Sequence, residues 1–374
     1  MAVVHDFLTQ RGGAERVALH LSRAFDDATL FTSVYCPETT YPEFAALPVR
    51  ATRVLNPAQA SRFRLRALSY GPMFASMDLS GFDLAVISSS AFAHHVRHPR
   101  SLVYWHTAPR FVYDPRSYFP APLAGLASLA ARSLRRRDRD AARAHSYHLA
   151  NSARTSATLA RVYGITPPVL HPPLVNASGD LVLSPPSEPA TALVVSRLLP
   201  YKRVDVAIAA CGIAGVPLTV VGAGPEIDRL RSLAARGQVR FLSGLSDGEL
   251  RAEYERARLV VCAAADDFGY VPLEAASAGR PAVASRSGGA AESVIDGVTG
   301  LLVDGWDPAV WAEAILDCAA RSWSPLVLRE HAEGFGERAF NARLATALAE
   351  MDAPARAGNP DERAATGNRS LSSA

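Results

Sequence analysis

A strand-then-helix rhythm runs through this chain twice, on either side of a stretch rich in proline, serine and glycine, and that doubling limits the possible folds more than any single motif. In the first half, short apolar runs suited to buried strands fall near Ala2–His5, Thr29–Val34, Leu84–Ser88, Leu102–His106 and His148–Asn151, with helical patterns near Ala14–Phe25 and Leu123–Arg143. The second half repeats the rhythm, with strands near Leu193–Ser196, Leu218–Val221, Val239–Leu242, Leu259–Cys262, Ala282–Ser285 and Leu301–Val303. Its helical segments are Val204–Ala214, Glu226–Ala235, Asp247–Ala257, Pro272–Ala278 and Pro308–Ala320, and Pro325–Met351 reads as one further helix. Between the halves, His171–Pro189 has no periodicity and reads as a hinge. At 374 residues the chain exceeds what one hydrophobic core usually supports. The expectation is therefore an α/β protein of two doubly wound, Rossmann-like domains facing each other across a cleft. The boundaries fall at residues 1–172, a hinge over 173–190, a second domain over 191–324, a last helical segment over 325–352 and a tail over 353–374 expected to be disordered.

The stretch Ala264–Glu274 (A-A-D-D-F-G-Y-V-P-L-E) sets Asp266 and Glu274 around an aromatic-glycine turn, between the apolar run Leu259–Val261 and a helical segment. Open α/β sheets bind ligands at the carboxyl ends of their strands. An ionised carboxylate accepts two hydrogen bonds from adjacent sugar or ribose hydroxyls, so two carboxylates suit a sugar nucleotide; helix capping is the plainer explanation for an isolated acidic pair. Upstream, Ala192–Arg203 (A-L-V-V-S-R-L-L-P-Y-K-R) puts Arg197 directly after an apolar strand and Lys202 on the same loop. Two cations there fit a diphosphate leaving group that gathers negative charge, and a solvated basic loop is the alternative.

Further motifs fall in order along the chain: V-V-H-D-F-L-T-Q-R-G-G-A-E-R (Val3–Arg16), Y-W-H-T-A-P-R (Tyr104–Arg110), A-N-S-A-R-T-S (Ala150–Ser156), V-G-A-G-P-E (Val221–Glu226) and G-G-A-A-E-S-V-I-D-G-V-T-G-L-L-V (Gly288–Val303). With the two stretches above, they make the chain resemble the retaining GT-B glycosyltransferases of family 4, the group 1 glycosyltransferases. The D-F-G-x-V-P-x-E-A form and the R-G-G-A-E start are similar to those of bacterial mannosyltransferases of cell-surface polysaccharide assembly. The resemblance implies a second domain holding a nucleoside-diphosphate sugar, with Glu274 on the ribose, Arg197 and Lys202 on the diphosphate and Asp266 on the donor sugar. It places His106 near the anomeric centre, and Gly12, Gly13, Gly222, Gly224, Asp267, Phe268 and Gly269 along the donor. It implies transfer with retention, a glycan or lipid-linked acceptor presented by the first domain, and a last helix crossing back onto that domain. No metal and no cofactor are expected beyond the co-substrate, GDP-mannose first and a UDP-sugar otherwise. The family pattern has Glu where this chain has Asp266, one methylene shorter, and that departure keeps a non-catalytic sugar-nucleotide-binding relative in view. A GT-B enzyme of other chemistry, such as a phosphorylase or epimerase, is the second rival.

Other patterns narrow the field. A net charge of +3 with dispersed arginines does not suggest nucleic-acid binding. The four cysteines lie far apart, which fits a reducing compartment, and no run approaches the ~18 apolar residues of a membrane span, so a cytoplasmic protein is expected. Val221–Glu226 is not a dinucleotide fingerprint, since Ile227 stands where its third glycine belongs. Arg11–Arg16, with Gly12 and Gly13, is either a close phosphate approach at a helix start or an ordinary tight turn. His94 and His98 have H-x-x-x-H spacing, but no Glu follows the first His and flanking arginines oppose a cation. Glu292 is placed in a first helical turn, where capping the helix is the plain explanation and the resemblance implies a place bordering the donor pocket. The mixed-charge run Leu134–His145 reads as a solvated face; its arginine excess would allow peripheral contact at the inner membrane face if the acceptor is lipid-linked.

Overall fold

The computed structural model describes residues 1–60, 67–114, 134–175, 190–234 and 238–352. Much of the expected hinge, the tail and the first part of the expected helix Leu123–Arg143 lie outside those residues; residues 134–143 are helical.

Two six-stranded sheets form, and all their strand pairings are parallel. The first comprises β1 (Ala2–Leu8), β2 (Thr29–Tyr35), β3 (Val49–Val54), β4 (Ala85–Ser89), β5 (Ser101–Trp105) and β6 (Tyr147–Ala150), in the order β3-β2-β1-β4-β5-β6. The second comprises β7 (Ala192–Val195), β8 (Leu218–Val221), β9 (Val239–Leu242), β10 (Leu259–Cys262), β11 (Ala282–Ser285) and β12 (Gly300–Val303), in the order β12-β11-β10-β7-β8-β9. Both are the doubly wound order, whose direction reverses between β1 and β4 and between β7 and β10.

A parallel sheet needs cover on both faces, and the alternation of side chains along each strand supplies it. Val3, Val86 and Leu102 join one buried cluster, whereas Val4, Ile87 and Val103 join another on the opposite face. Helix α1 (Gly13–Arg23) lays Val17, Leu19 and Leu21 on the first of these. Helix α2 (Ala153–Tyr163) starts at Ser152, whose hydroxyl accepts from the Thr155 amide at 3.0 Å, and stops at Gly164 in a left-handed conformation (φ 71°). The second sheet carries α3 (Val204–Ala214), α4 (Ile227–Leu233), α5 (Asp247–Arg256), α6 (Tyr270–Ser277) and α7 (Pro308–Ala320). Helix α5 opens with a capping box between Ser246 and Glu249.

Two features depart from the sequence expectation. Strand β3 was not foreseen: V-R-A-T-R-V has no apolar run, and it forms as an exposed edge strand pairing only with β2, where one side is enough. The expected single helix over Pro325–Met351 breaks at Gly334–Gly336 into α8 (Pro325–Glu333) and α9 (Glu337–Asp352). The break lets the halves serve different sheets. Leu328 and Ala332 of α8 pack on Leu273 and Ala276 of α6, whereas Phe340, Leu344 and Ala347 of α9 are buried in the core beneath the first sheet. There, the His20 ring lies 2.9 Å from Glu337 and 2.7 Å from Asn341.

Candidate functional site

The carboxyl ends of β1 and β5 in one sheet and of β7 and β10 in the other face a common cleft. After β7 the chain runs through Arg197 into a 3₁₀ turn, Pro200–Lys202, and Arg203 takes the left-handed conformation (φ 51°), uncommon outside glycine. This turn brings the Lys202 ammonium to 2.7 Å from both carboxylate oxygens of Asp266 on the loop after β10. Arg197 donates to the Tyr201 hydroxyl at 3.0 Å and reaches across to Gln10 at 3.4 Å. The backbone amide of Gly289 donates to the Asp266 carbonyl at 2.7 Å, fixing the loop that carries the carboxylate.

Glu274, one turn into α6, accepts from the Tyr254 hydroxyl at 2.7 Å and from Arg16 of the first sheet's α1 at 3.1 Å. Asp267 accepts from Arg110, just after β5, at 2.6 Å, and the Arg110 guanidinium lies 5.2 Å from the centre of the Tyr201 ring. Gly13 packs against one edge of Tyr270: a Cβ there would come within 2.8 Å of the ring, so the glycine serves the meeting of the two sheets' helices. Gly12 starts α1 with Glu15 folded back beneath it. Gly222 and Gly224 lie against the Ser196 and Leu198 carbonyls, where a Cβ would clash, so they hold the Arg197 loop close to β8. Gly269 begins α6, and Phe268 is buried beside His171 and Phe335.

His106 is buried at the end of β5 and lies 2.7 Å from the Ser88 hydroxyl, which is 3.0 Å from the ring of His5. Burial, aided by His5, lowers the His106 pKa to about 3, and burial lowers His5 too. Both rings are neutral near pH 7, hydrogen-bonding groups rather than cations. Asp6, buried on β1, accepts the backbone amides of Ser90, Ala91, Phe92 and Ala93 at 2.6 to 3.0 Å and so shapes the loop beside them.

Sequence reasoning missed Glu15, Arg16, Arg110 and Tyr270. Glu15 is buried, and its pKa is raised to about 7 by desolvation, with a Gln10 hydrogen bond and the Arg197 charge opposing. The Tyr270 hydroxyl is buried and has no hydrogen-bond partner among the described residues.

Three further motifs have definite partners, and only the last departs from expectation. Glu292 ends a 3₁₀ turn and caps a helix of the other sheet: its carboxylate accepts from the Ala153 amide at 2.7 Å and the Arg154 amide at 3.2 Å, with His171 at 3.0 Å. His94 and His98 do not converge, for His98 bonds the Phe82 and Arg100 carbonyls while His94 meets Ser89 and Asp138. The run Leu134–His145 is not wholly a solvated face, because Asp138 is buried and accepts from Tyr113 at 2.8 Å and Tyr163 at 2.7 Å, besides meeting His94 at 2.9 Å. His94, His95 and Asp138 do bring three possible metal ligands within 4.8 Å of one another, but both Asp138 oxygens are taken up by this network. No described helix is long and apolar enough to cross a membrane.

Comparison with known proteins bears on this geometry. The family model of glycosyl transferases group 1 matches residues 182–340. A D-inositol 3-phosphate glycosyltransferase of Corynebacterium diphtheriae is 40% identical over 114 residues, 29% of this chain and 27% of that protein. A GDP-mannose-dependent alpha-(1-6)-phosphatidylinositol monomannoside mannosyltransferase of Mycobacterium tuberculosis is 33% identical over 147 residues, 35% of this chain and 38% of that protein. The chain thus spans only about a third of the length of the curated relatives it matches. Among solved structures, Anabaena HepE, crystallised with UDP and glucose, aligns with a TM-score of 0.67 at 20% identity over 93% of this chain and 99% of that one. WaaG, a glycosyltransferase of lipopolysaccharide biosynthesis, aligns with a TM-score of 0.63 at 18% identity over 95% and 100%. At those identities the likeness concerns the fold, and the two facing doubly wound units are the GT-B arrangement.

Proposed function

From residues 182–340, which belong to the glycosyl transferases group 1, we propose that the chain is a retaining glycosyltransferase. Its second sheet binds a nucleoside-diphosphate sugar and its first presents a glycan or lipid-linked acceptor. The observation that carries this reading is the convergence of Arg197, Lys202, Asp266 and Glu274 at the direction-reversing point of the second sheet, facing Gln10, Arg16 and Arg110 of the first. GDP-mannose is the donor we favour, supported by the mannosyltransferase name of the mycobacterial relative.

In this reading the donor's hydroxyls take the place of amino-acid partners. Ribose hydroxyls replace Arg16 on Glu274, and the sugar's hydroxyls share Asp266 with Lys202. The acceptor oxygen bonds to the anomeric carbon on the face from which the diphosphate departs. The anomeric carbon–phosphate oxygen bond breaks, and the acceptor proton passes to the leaving phosphate. Arg197 and Lys202 meet the charge that develops there, so neither a metal nor a resident cofactor is required of the mechanism. Neutral His106 hydrogen-bonds near the anomeric centre. The reaction belongs to the cytoplasmic face of cell-surface glycan synthesis.

Calorimetric titration with GDP-mannose and UDP-glucose, repeated on Lys202→Ala and Glu274→Ala, tests the proposal. Binding of one donor that both substitutions weaken is the expected result. Binding of neither by the unaltered protein would reject the donor site and favour a scaffold role.

A further inference from the structure

The polar groups at the junction of α1 and α6 are paired, with one exception. Glu274 has Arg16 and Tyr254, and the Tyr41 hydroxyl has the Arg16 guanidinium at 3.3 Å and the Gly12 carbonyl at 3.5 Å. The Tyr270 hydroxyl, buried among them, has no partner among the described residues. Its ring is held on several sides: Gly13 lies against one edge, Phe268 meets it edge-on with centroids 5.3 Å apart, and the Arg16 guanidinium lies 6.0 Å from its centre. These contacts hold the hydroxyl inward, and native proteins seldom leave such a group buried and alone.

We infer that the Tyr270 hydroxyl is a donor-site hydrogen-bond donor that meets an oxygen of the nucleoside diphosphate, between the ribose end marked by Glu274 and the start of α1 at Gly13. The inference rests on the donor site proposed above and adds to it a residue whose ligand-free cost is repaid on binding. Burial pushes the phenol's pKa up, so the group keeps its proton, and an anionic oxygen is its best partner. Because Gly13 and Arg16 belong to the helix of the first half and Tyr270 to that of the second, the contact forms where the two halves meet. Tyr270 would then report closure as well as binding.

Tyr270→Phe removes the hydroxyl and keeps the ring. Titrating GDP, GDP-mannose, UDP and UDP-glucose into both proteins, and recording ligand-free thermal unfolding, gives two readouts that a structural role would move in the opposite sense. Affinity for the nucleotide that binds should fall about three- to tenfold, by the same factor for the diphosphate and its sugar, since the contact is to the nucleotide. The ligand-free unfolding temperature should stay or rise, because a buried unpaired group has been removed. Unchanged affinity in the Phe variant, or a lower unfolding temperature, overturns the assignment while leaving the donor site standing. If the unaltered protein binds none of the four, the donor reading fails, and the Tyr270 assignment fails with it.

Discussion

Neutrality is the property that most limits what His106 can contribute. A ring held at about pKa 3 by burial cannot act as a base in exchange with water near pH 7, nor offer a fixed positive charge to a leaving diphosphate. What remains is a hydrogen bond of fixed direction, set by Ser88, whose hydroxyl also lies beside His5. The rate of transfer should accordingly show no limb from His106 between pH 5.5 and 8. His106→Asn should lower it by about tenfold, the worth of one well-placed hydrogen bond, and by the same factor at each pH in that range. A loss confined to one side of the pH profile would show that the imidazole titrates in the working range and would reject the neutral assignment. The contrast with Lys202 is instructive: its charge is held by both oxygens of Asp266, so it is a cation already placed and poised for exchange.

Strands β5 and β6 and the turns at their ends hold three histidines, His106 and His145 buried and His148 half-buried, whose titration couples the first sheet to pH. Burial lowers His106 to about 3 and His145 and His148 to about 4, against 6.5 in an unfolded chain. Below pH 6.5 the unfolded state takes up protons that the folded state refuses. Their stabilising contribution is therefore complete above about 6.5 and is lost as pH falls towards 4, each with a limiting slope of ~1.4 kcal/mol per pH unit. Glu15 acts in the opposite sense, since its rise from 4.5 to about 7 makes the folded state the better proton binder in that window, but it is one group against these three and against His5 and His95, which burial lowers as well. The unfolding temperature should drop by several degrees between pH 7 and pH 5; a flat response would mean that these rings reach solvent. The same elements show what sequence could and could not disclose. Strands β8 to β11 and helices α3 and α7 were legible to the residue because each is a largely apolar segment with clear bounds. Strand β3, and α9's place under the first sheet, were not deducible from local pattern: an edge strand need not be apolar, and the partners of α9 lie hundreds of residues upstream. The cations and acids on the loops after β7 and β10 could be singled out by their position at strand ends. Arg16, Arg110 and Tyr270 could not, because their significance comes from pairing across the cleft, with Arg16 and Glu274 separated by 258 positions and Arg110 and Asp267 by 157.

Across the whole molecule, two kinds of contact join the sheets, and they differ in whether a donor would compete for them. The pairs Arg16–Glu274 and Arg110–Asp267 use acids of the proposed donor site, so they are open to exchange when a nucleotide sugar enters. The contacts of Glu292 use none of those groups: its carboxylate sits at the amino end of α2, where the helix dipole and two free amides favour negative charge, and it also holds His171. Those hydrogen bonds outweigh desolvation and keep its pKa below the usual glutamate value. Arg154 of the same helix reaches back to the Ser287 carbonyl. The Glu292 set can thus hold the two halves in register while the other pairs exchange. Glu292→Ala should then act on domain closure and leave the chemical step intact. Small-angle scattering of the ligand-free variant should show a larger radius of gyration, KM for the donor should rise several-fold, and kcat at saturating donor should stay within about twofold, since binding energy is diverted to closing the cleft while the transition-state contacts are unchanged. A fall in kcat at unchanged KM, with unaltered scattering, would instead place Glu292 in the chemistry and remove the distinction between holding and exchanging contacts.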